Sequence, residues 1–337
     1  MSLGFEMAGF KTIYANDNDR HSVETFRLNF KSEVVCGDIR LVDEFPSADV
    51  VVGGPPCQGF SRLGKQANKP RHENLLWREY MRCIAQTLPA AFVVENVPDF
   101  LKDSASEGIR QGACELGYDV VFSILNAADY GVPQRRRRAI IIGRRDGRAT
   151  LPLATHCDPN AMLLDQHLAR WVTVRDAIGN LPLEPDGLNR HDVRLVSKLS
   201  LDRYRHVPPG GGWKNLPKKL LPDCWRYKNP KSGGSTDMMG RLLWDEPAYT
   251  IRTQFIKPEK GRYLHPQADR AITVREGARL QTFPDDFLFQ GSNFQAAKQI
   301  GNAVPPLLAT AIARHVGGWL GLNSPSDRGR RSKFVEV

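Results

Sequence analysis

Asp49-Val50-Val51-Val52-Gly53-Gly54-Pro55-Pro56-Cys57-Gln58-Gly59-Phe60-Ser61 joins a valine run to a turn that carries a thiol. Three consecutive β-branched residues without polar alternation read as a strand covered on both faces, as in parallel sheets. In open α/β sheets, ligands gather at the carboxyl ends of the strands, and this turn stands at such an end. Gly53 and Gly54 let the chain bend sharply, while Pro55 and Pro56 fix φ and withhold backbone donors. A cysteine on such a turn is positioned rather than packed, and its thiolate suits nucleophilic chemistry. The ordinary fate of a free cysteine is that of a small buried hydrophobe. That description suits Cys83 and Cys114 better.

The pattern repeats outward from this turn. Residues 12–15 and 33–36 read as strands around a helix over 19–29. Leu76, Tyr80, Ile84 and Leu88 recur every four residues, a helix face that Pro89 ends. Residues 92–95 read as a strand, 106–116 as a helix closed by Gly117, and 119–124 and 138–143 as further strands. Such alternation predicts an α/β fold, a doubly wound and mostly parallel sheet with helices on both faces. Beyond about residue 150 the periodicity weakens. Pro208-Pro209-Gly210-Gly211-Gly212 and Ser232-Gly233-Gly234-Ser235 are loop signals, and helical character returns only over 275–281 and 307–320. Residues 1–185 with 299–322 are therefore expected to form one domain, and 186–298 a smaller irregular one. Residues 323–337 are expected to be a flexible basic tail.

The 337 residues are 41% hydrophobic and 25% charged, ordinary for a folded chain and unlike a disordered one. No apolar run approaches the roughly 20 residues of a membrane helix, and no basic-then-apolar leader opens the chain. Forty-seven Lys and Arg against 37 Asp and Glu leave a net charge of +10, which suits a polyanionic partner such as nucleic acid. The six cysteines have no CxxC or CxxH spacing and read as reduced thiols, with neither a disulfide frame nor a metal site.

Pro55-Pro56-Cys57-Gln58-Gly59-Phe60-Ser61 after a valine strand resembles the catalytic loop of the DNA (cytosine-5) methyltransferases. Four further segments match that family in order: Glu95-Asn96-Val97, Gln134-Arg135-Arg136-Arg137-Arg138, Arg275-Glu276 with Arg279-Leu280-Gln281, and Gln299-Ile300-Gly301-Asn302-Ala303-Val304. The resemblance spans about residues 3–320 and implies a Rossmann-like, S-adenosylmethionine-dependent methyltransferase domain with no metal. The substrate would be cytosine in double-stranded DNA, acted on in the cytoplasm at the nucleoid. Cys57 would add to the ring, and Glu95 would hold or donate a proton at its nitrogen. Arg136 and Arg138, at i, i+2 spacing, would bind the carbonyl oxygen together and orient the glutamate. The base would have to leave the helix stack to reach them. Arg135 and Arg137 fit phosphate contact, and Arg226, Arg241 and Arg252 are candidate base readers.

On the cofactor side the resemblance implies Asp17 for the ribose and Asp38 with Ile39 for adenine, although a cap or turn would equally explain either aspartate. Pro56, Leu76, Asn302 and Ala303 complete the surface. Asn18 stands where many relatives carry an aromatic that stacks on adenine. Residues 1–10 look like the helix that follows the family's first strand and Gly-rich turn, so a central strand is expected to be missing, leaving two neighbours unpaired. A monomer is expected, with a complementary N-terminal fragment or a cognate restriction endonuclease as further partners. Two rivals remain: an amino-methyltransferase, whose loop would carry an Asx-Pro-Pro-aromatic sequence, and a silent or split DNA-binding homologue.

Overall fold

Val50, Val51 and Val52 are completely buried, and the sheet around them explains why. The computed structural model describes residues 1–56, 75–161, 167–222, 237–322 and 332–337. Its main sheet has seven strands in the order β2-β1-β13-β3-β4-β7-β5. They are β1 (Lys11–Asp17), β2 (Glu33–Cys36), β3 (Val50–Gly53), β4 (Ala91–Asn96), β5 (Asp119–Asn126), β7 (Arg137–Arg144) and β13 (Lys333–Glu336). The first three, with β4 and β13, pair in parallel, and β7 runs antiparallel between β4 and β5.

Alternate residues face different layers. Val50, Val52, Val93, Ile140 and Ile142 pack towards α1 (Ser2–Met7) and the long helix Pro306–Trp319. Val51, Phe92, Val94 and Ile141 pack towards α3 (Leu76–Thr87) and α4 (Ser104–Glu115). Each such side chain removed from water stabilises the fold by about 1.5–3 kcal/mol. Local signals set the helix ends. Asp19 caps α2 (Arg20–Asn29) by accepting from the His21 and Ser22 amides, and Gly117 follows α4 at φ +85°.

The expected gap in the sheet is not there. β13 lies between β1 and β3 and pairs with both in parallel, so the central place is taken by residues the sequence had assigned to a flexible tail. Phe334 and Val335 are fully buried on opposite faces, and the Val337 amide donates to the Val52 carbonyl at 3.0 Å. Gly53 is required here, because a Cβ on it would lie 2.2 Å from the Val337 carbonyl oxygen. With the place filled, β1 and β3 are both paired, and the open strand edges that had suggested a complementary fragment are not found. The tail reading failed because Lys333-Phe334-Val335-Glu336 is too short to show periodicity after a polar, arginine-rich stretch.

The second region is built of short pieces. Tyr204, Val207, Leu216, Met238, Met239 and Leu264 form a small core of their own. A larger cluster joins Val174 and Ile178 to Ile251, Phe255, Ala278 and Ile300. That cluster draws on both sides of residues 185 and 298, so the two regions share a core at their junction. The strand β11 (Ala248–Tyr249) pairs with β6 (Gln134–Arg135) in a separate two-stranded sheet, bringing the chain back from the second region to the segment just before β7. No helix among the described residues is long and apolar enough to cross a membrane.

Candidate active site

Glu95 and Arg138 meet because β7 runs against its neighbours. Its first residues lie at the same edge as the carboxyl ends of β3 and β4, where Glu95 pairs across with Ile140. The Arg138 Nε stands 2.8 Å from the Glu95 carboxylate, and Glu95 is only 8% exposed. Burial pulls the Arg138 pKa down while the glutamate beside it pushes back. The pair therefore holds the Glu95 side chain fixed in place at this largely buried strand end.

The turn bearing the thiol starts at the same spot. Asn96, next to Glu95, donates its side-chain amide to the Pro55 carbonyl at 2.8 Å and fixes the stem of the turn. A Cβ on Gly54 would lie 3.3 Å from the Glu95 carbonyl oxygen, so the stem passes directly over the glutamate. Cys57 itself lies outside the described residues, two positions beyond Pro55. Sequence reading quoted Asn96 within a motif but gave it no role, since the hydrogen bond spans 41 residues.

Arg136 departs from expectation. It does not join Arg138 at the edge, because it sits at the break between β6 and β7 and is completely buried. Its donors go to the carbonyls of Ile251, Gly301 and Ala303 at 2.8–2.9 Å. The i, i+2 argument assumed one continuous strand. Arg135 lies over the Trp171 ring and pairs with Glu246, while Arg137 is exposed with no side-chain partner among the described residues. Of the candidate readers, Arg226 lies outside the described residues. Arg241 is buried and spends its donors on Val207, Tyr204, His265, Ala268 and Asp269. Arg252 is held by Tyr263, Asp237 and Lys260.

The cofactor candidates fall at neighbouring strand ends. Asp17 ends β1 beside Cys36 of β2, and Asp38 follows two residues later. Surrounding protein raises the Asp17 carboxyl, with the Asp19 amide partly offsetting it. Asp38 is lowered to about 2 by its bonds to Arg40, so its side chain is engaged as a turn cap. Ile39 and Leu76 are half-buried, and Pro56 is exposed. Asn302 ends the helix Asn293–Asn302, which Lys298 ties to Asp19 at 2.6 Å, and Ala303 follows it. That ion pair brings the late segment to the β1 edge. A separate cavity of about 300 Å³, lined by residues such as Asp192, Tyr204 and Arg270, lies in the second region away from Glu95. Among the described residues, no group of His, Cys, Asp or Glu is arranged to hold a metal ion.

The model of the family described as C-5 cytosine-specific DNA methylase matches residues 1–318. The chain belongs to that family. This methylase is 36% identical to the type II methyltransferase M1.HphI of Haemophilus parahaemolyticus, over 94% of this chain and 83% of that one. It is 34% identical to M.Eco47II of Escherichia coli, over 94% and 76% of the two chains. Among solved structures it resembles a prophage-encoded DNA modification methyltransferase of E. coli, with TM-score 0.70, 26% identity and 95% and 96% coverage. The Dnmt2 methyltransferase of S. pombe, 16% identical with TM-score 0.65 and 95% coverage of each chain, shares the fold. The methylase is thus a DNA cytosine-5 methyltransferase on a Rossmann-like sheet, and the amino-methyltransferase reading falls away.

Proposed function

We propose that this methylase modifies carbon-5 of cytosine in double-stranded DNA through a covalent adduct of Cys57 on a base turned out of the duplex. The observation that carries the reading is the Glu95–Arg138 pair standing under the Gly54–Pro56 stem, which Asn96 fixes. Carbon-5 of cytosine becomes nucleophilic only after an electron-rich group adds at carbon-6. The Cys57 thiolate forms that C–S bond, and the ring's π electrons move towards carbon-5 as Glu95 shares a proton with the ring nitrogen. Arg138 keeps the glutamate aimed and lies within reach of the base's carbonyl oxygen. Carbon-5 then takes the methyl group as its bond to the donor sulfur breaks, the electron pair staying on that sulfur. Carbon-5 next loses its own proton to solvent, and the Cys57 thiolate leaves carbon-6 to restore the double bond. S-adenosylmethionine, when bound, supplies an electrophilic methyl group.

Asp17 has the position and exposure to bind the ribose hydroxyls. Because Arg40 holds the Asp38 side chain, adenine would meet the main chain there together with Ile39. Pro56, Leu76, Asn302 and Ala303 are the remaining candidates. Residues 1–185 and 299–322, now joined by β13, would form the catalytic part, and 186–298 the target-reading part. The net charge of +10 supports duplex DNA as partner, and with it action at the nucleoid in the cytoplasm; the proposed acting form is a monomer. The type II names of the relatives support a cognate restriction endonuclease.

The test is trapping on duplex DNA carrying 5-fluorocytosine, whose fluorine blocks the final proton loss. With S-adenosylmethionine present, the native chain should form a denaturant-stable adduct and Cys57→Ser should not. Equal trapping by both would remove Cys57 from the mechanism.

A further inference from the structure

Three side chains with no solvent exposure, Gln134, Arg136 and Gln281, form a polar knot behind the candidate site. Gln134 accepts from the Ile251 amide at 2.8 Å and donates to the Gln281 side chain at 2.9 Å. Gln281 in turn donates to the Ile300 carbonyl at 2.5 Å. Arg136 spans the knot, with one terminal nitrogen on the Ile251 carbonyl at 2.8 Å and the other on those of Gly301 and Ala303 at 2.8 and 2.9 Å. The two segments it joins already touch. A Cβ on Gly301 would lie 2.3 Å from the Thr253 nitrogen, so only glycine lets the backbones approach this closely.

Burying a guanidinium against carbonyls, with no carboxylate bonded to it, is costly, and its pKa is driven down by desolvation. What the arginine adds is a planar fork that fixes three carbonyls from two distant stretches in one geometry. One stretch returns from the second region through β11, beside the edge strand β6. The other carries Asn302 and Ala303.

We propose that Arg136 is a positioning residue that fastens the loop Gly301–Ala303 to the segment Ile251–Thr253, so that cofactor affinity depends on it and the reacting base does not touch it. This rests on the reading that Asn302 and Ala303 face the cofactor. Arg136→Lys in the full chain keeps a nitrogen donor at the site but cannot span all three carbonyls, and Gln281→Met loosens the same loop while leaving Arg136 in place. Losing one charged hydrogen bond is worth roughly tenfold or more in affinity. Calorimetric titration on the folded variants should therefore show both binding S-adenosylmethionine about tenfold more weakly or worse, beside a melting temperature lowered by several degrees because buried groups lose their partners. The rate at saturating cofactor should stay within about threefold of the parent, a KM effect rather than a kcat effect. A collapse of kcat in Arg136→Lys at unchanged cofactor affinity would overturn the proposal and return Arg136 to the base. Asn302→Ala separates the underlying reading. If it leaves affinity intact, the loop does not face the cofactor, whereas weakening there with none in Arg136→Lys sinks this proposal alone.

Discussion

Phe334→Ala should destabilise the methylase by about 3–5 kcal/mol, the range for removing a buried phenylalanine ring. Phe334 is completely buried, with its ring centroid 5.1 Å from that of Phe5 and 6.4 Å from that of Phe10. Those two rings hang on α1 and the turn before β1, and Val50 and Val52 flank the same space, so few neighbours can collapse into the hole. One kcal/mol moves the melting temperature of a domain this large by about 2–4 °C, so the expected fall is on the order of 6–20 °C. Thermal and urea melts followed by circular dichroism would measure it. Lys333→Ala, an exposed neighbour in the same strand, is the control and should stay within about 0.5 kcal/mol. Amide exchange adds a direct reading, since the Val337 amide, bonded to Val52, should be among the slow ones. If Phe334→Ala and Lys333→Ala melted together, β13 would not occupy the centre of the sheet.

Arg138→Ala should cut kcat by roughly 10²-fold or more, as loss of an acid-base group's support does, with DNA affinity held constant in a gel-shift titration. Arg137→Ala should flatten the dependence of log Kd on log salt by about one unit, as for one phosphate contact. Arg135→Ala should change that slope less, because Glu246 already neutralises Arg135. The fourth outcome concerns acid. The His265 Nδ1 accepts from the Gln267 and Ala268 amides, and burial drags its pKa from 6.5 to about 4. Between those values the unfolded chain binds a proton that the folded one refuses. Stability is therefore intact above pH 6.5 and falls by up to about 3 kcal/mol as pH drops to 4, and urea midpoints across that window should show a loss that His265→Asn removes.

The parts of the molecule that sequence conveyed best were those with regular burial. The valines of β3 and the glycine after α4 lie where the pattern placed them, and Tyr80 and Ile84 form the buried face of α3, whereas Leu88 falls just past its end and is exposed. Glu95 and Arg138 were legible because each stands at the end of an apolar strand, and the antiparallel turn of β7 brings them face to face. Arginines were the least legible. A guanidinium looks the same in sequence whether it faces phosphate, as Arg137 can, or braces carbonyls, as Arg136 and Arg241 do. Nothing local distinguishes them, since the partners lie between 24 and 167 residues away. β13 was hidden for a related reason. Its four residues gain meaning only from two edges made more than 280 positions earlier.

That separation has a price on the ribosome. β1 and β3 leave the exit tunnel early, yet the strand that seals them is made some 280 residues after Gly53. At the usual 5–20 residues per second, the two edges wait for about 15–60 s with their backbone groups open. Contacts this remote also make for slow closure once the chain is free. Through that interval the nascent methylase offers two ready templates for stray strands, of the sort that seed aggregation. Its yield in a cell should therefore depend on chaperone supply and on translation speed more than its final stability would suggest.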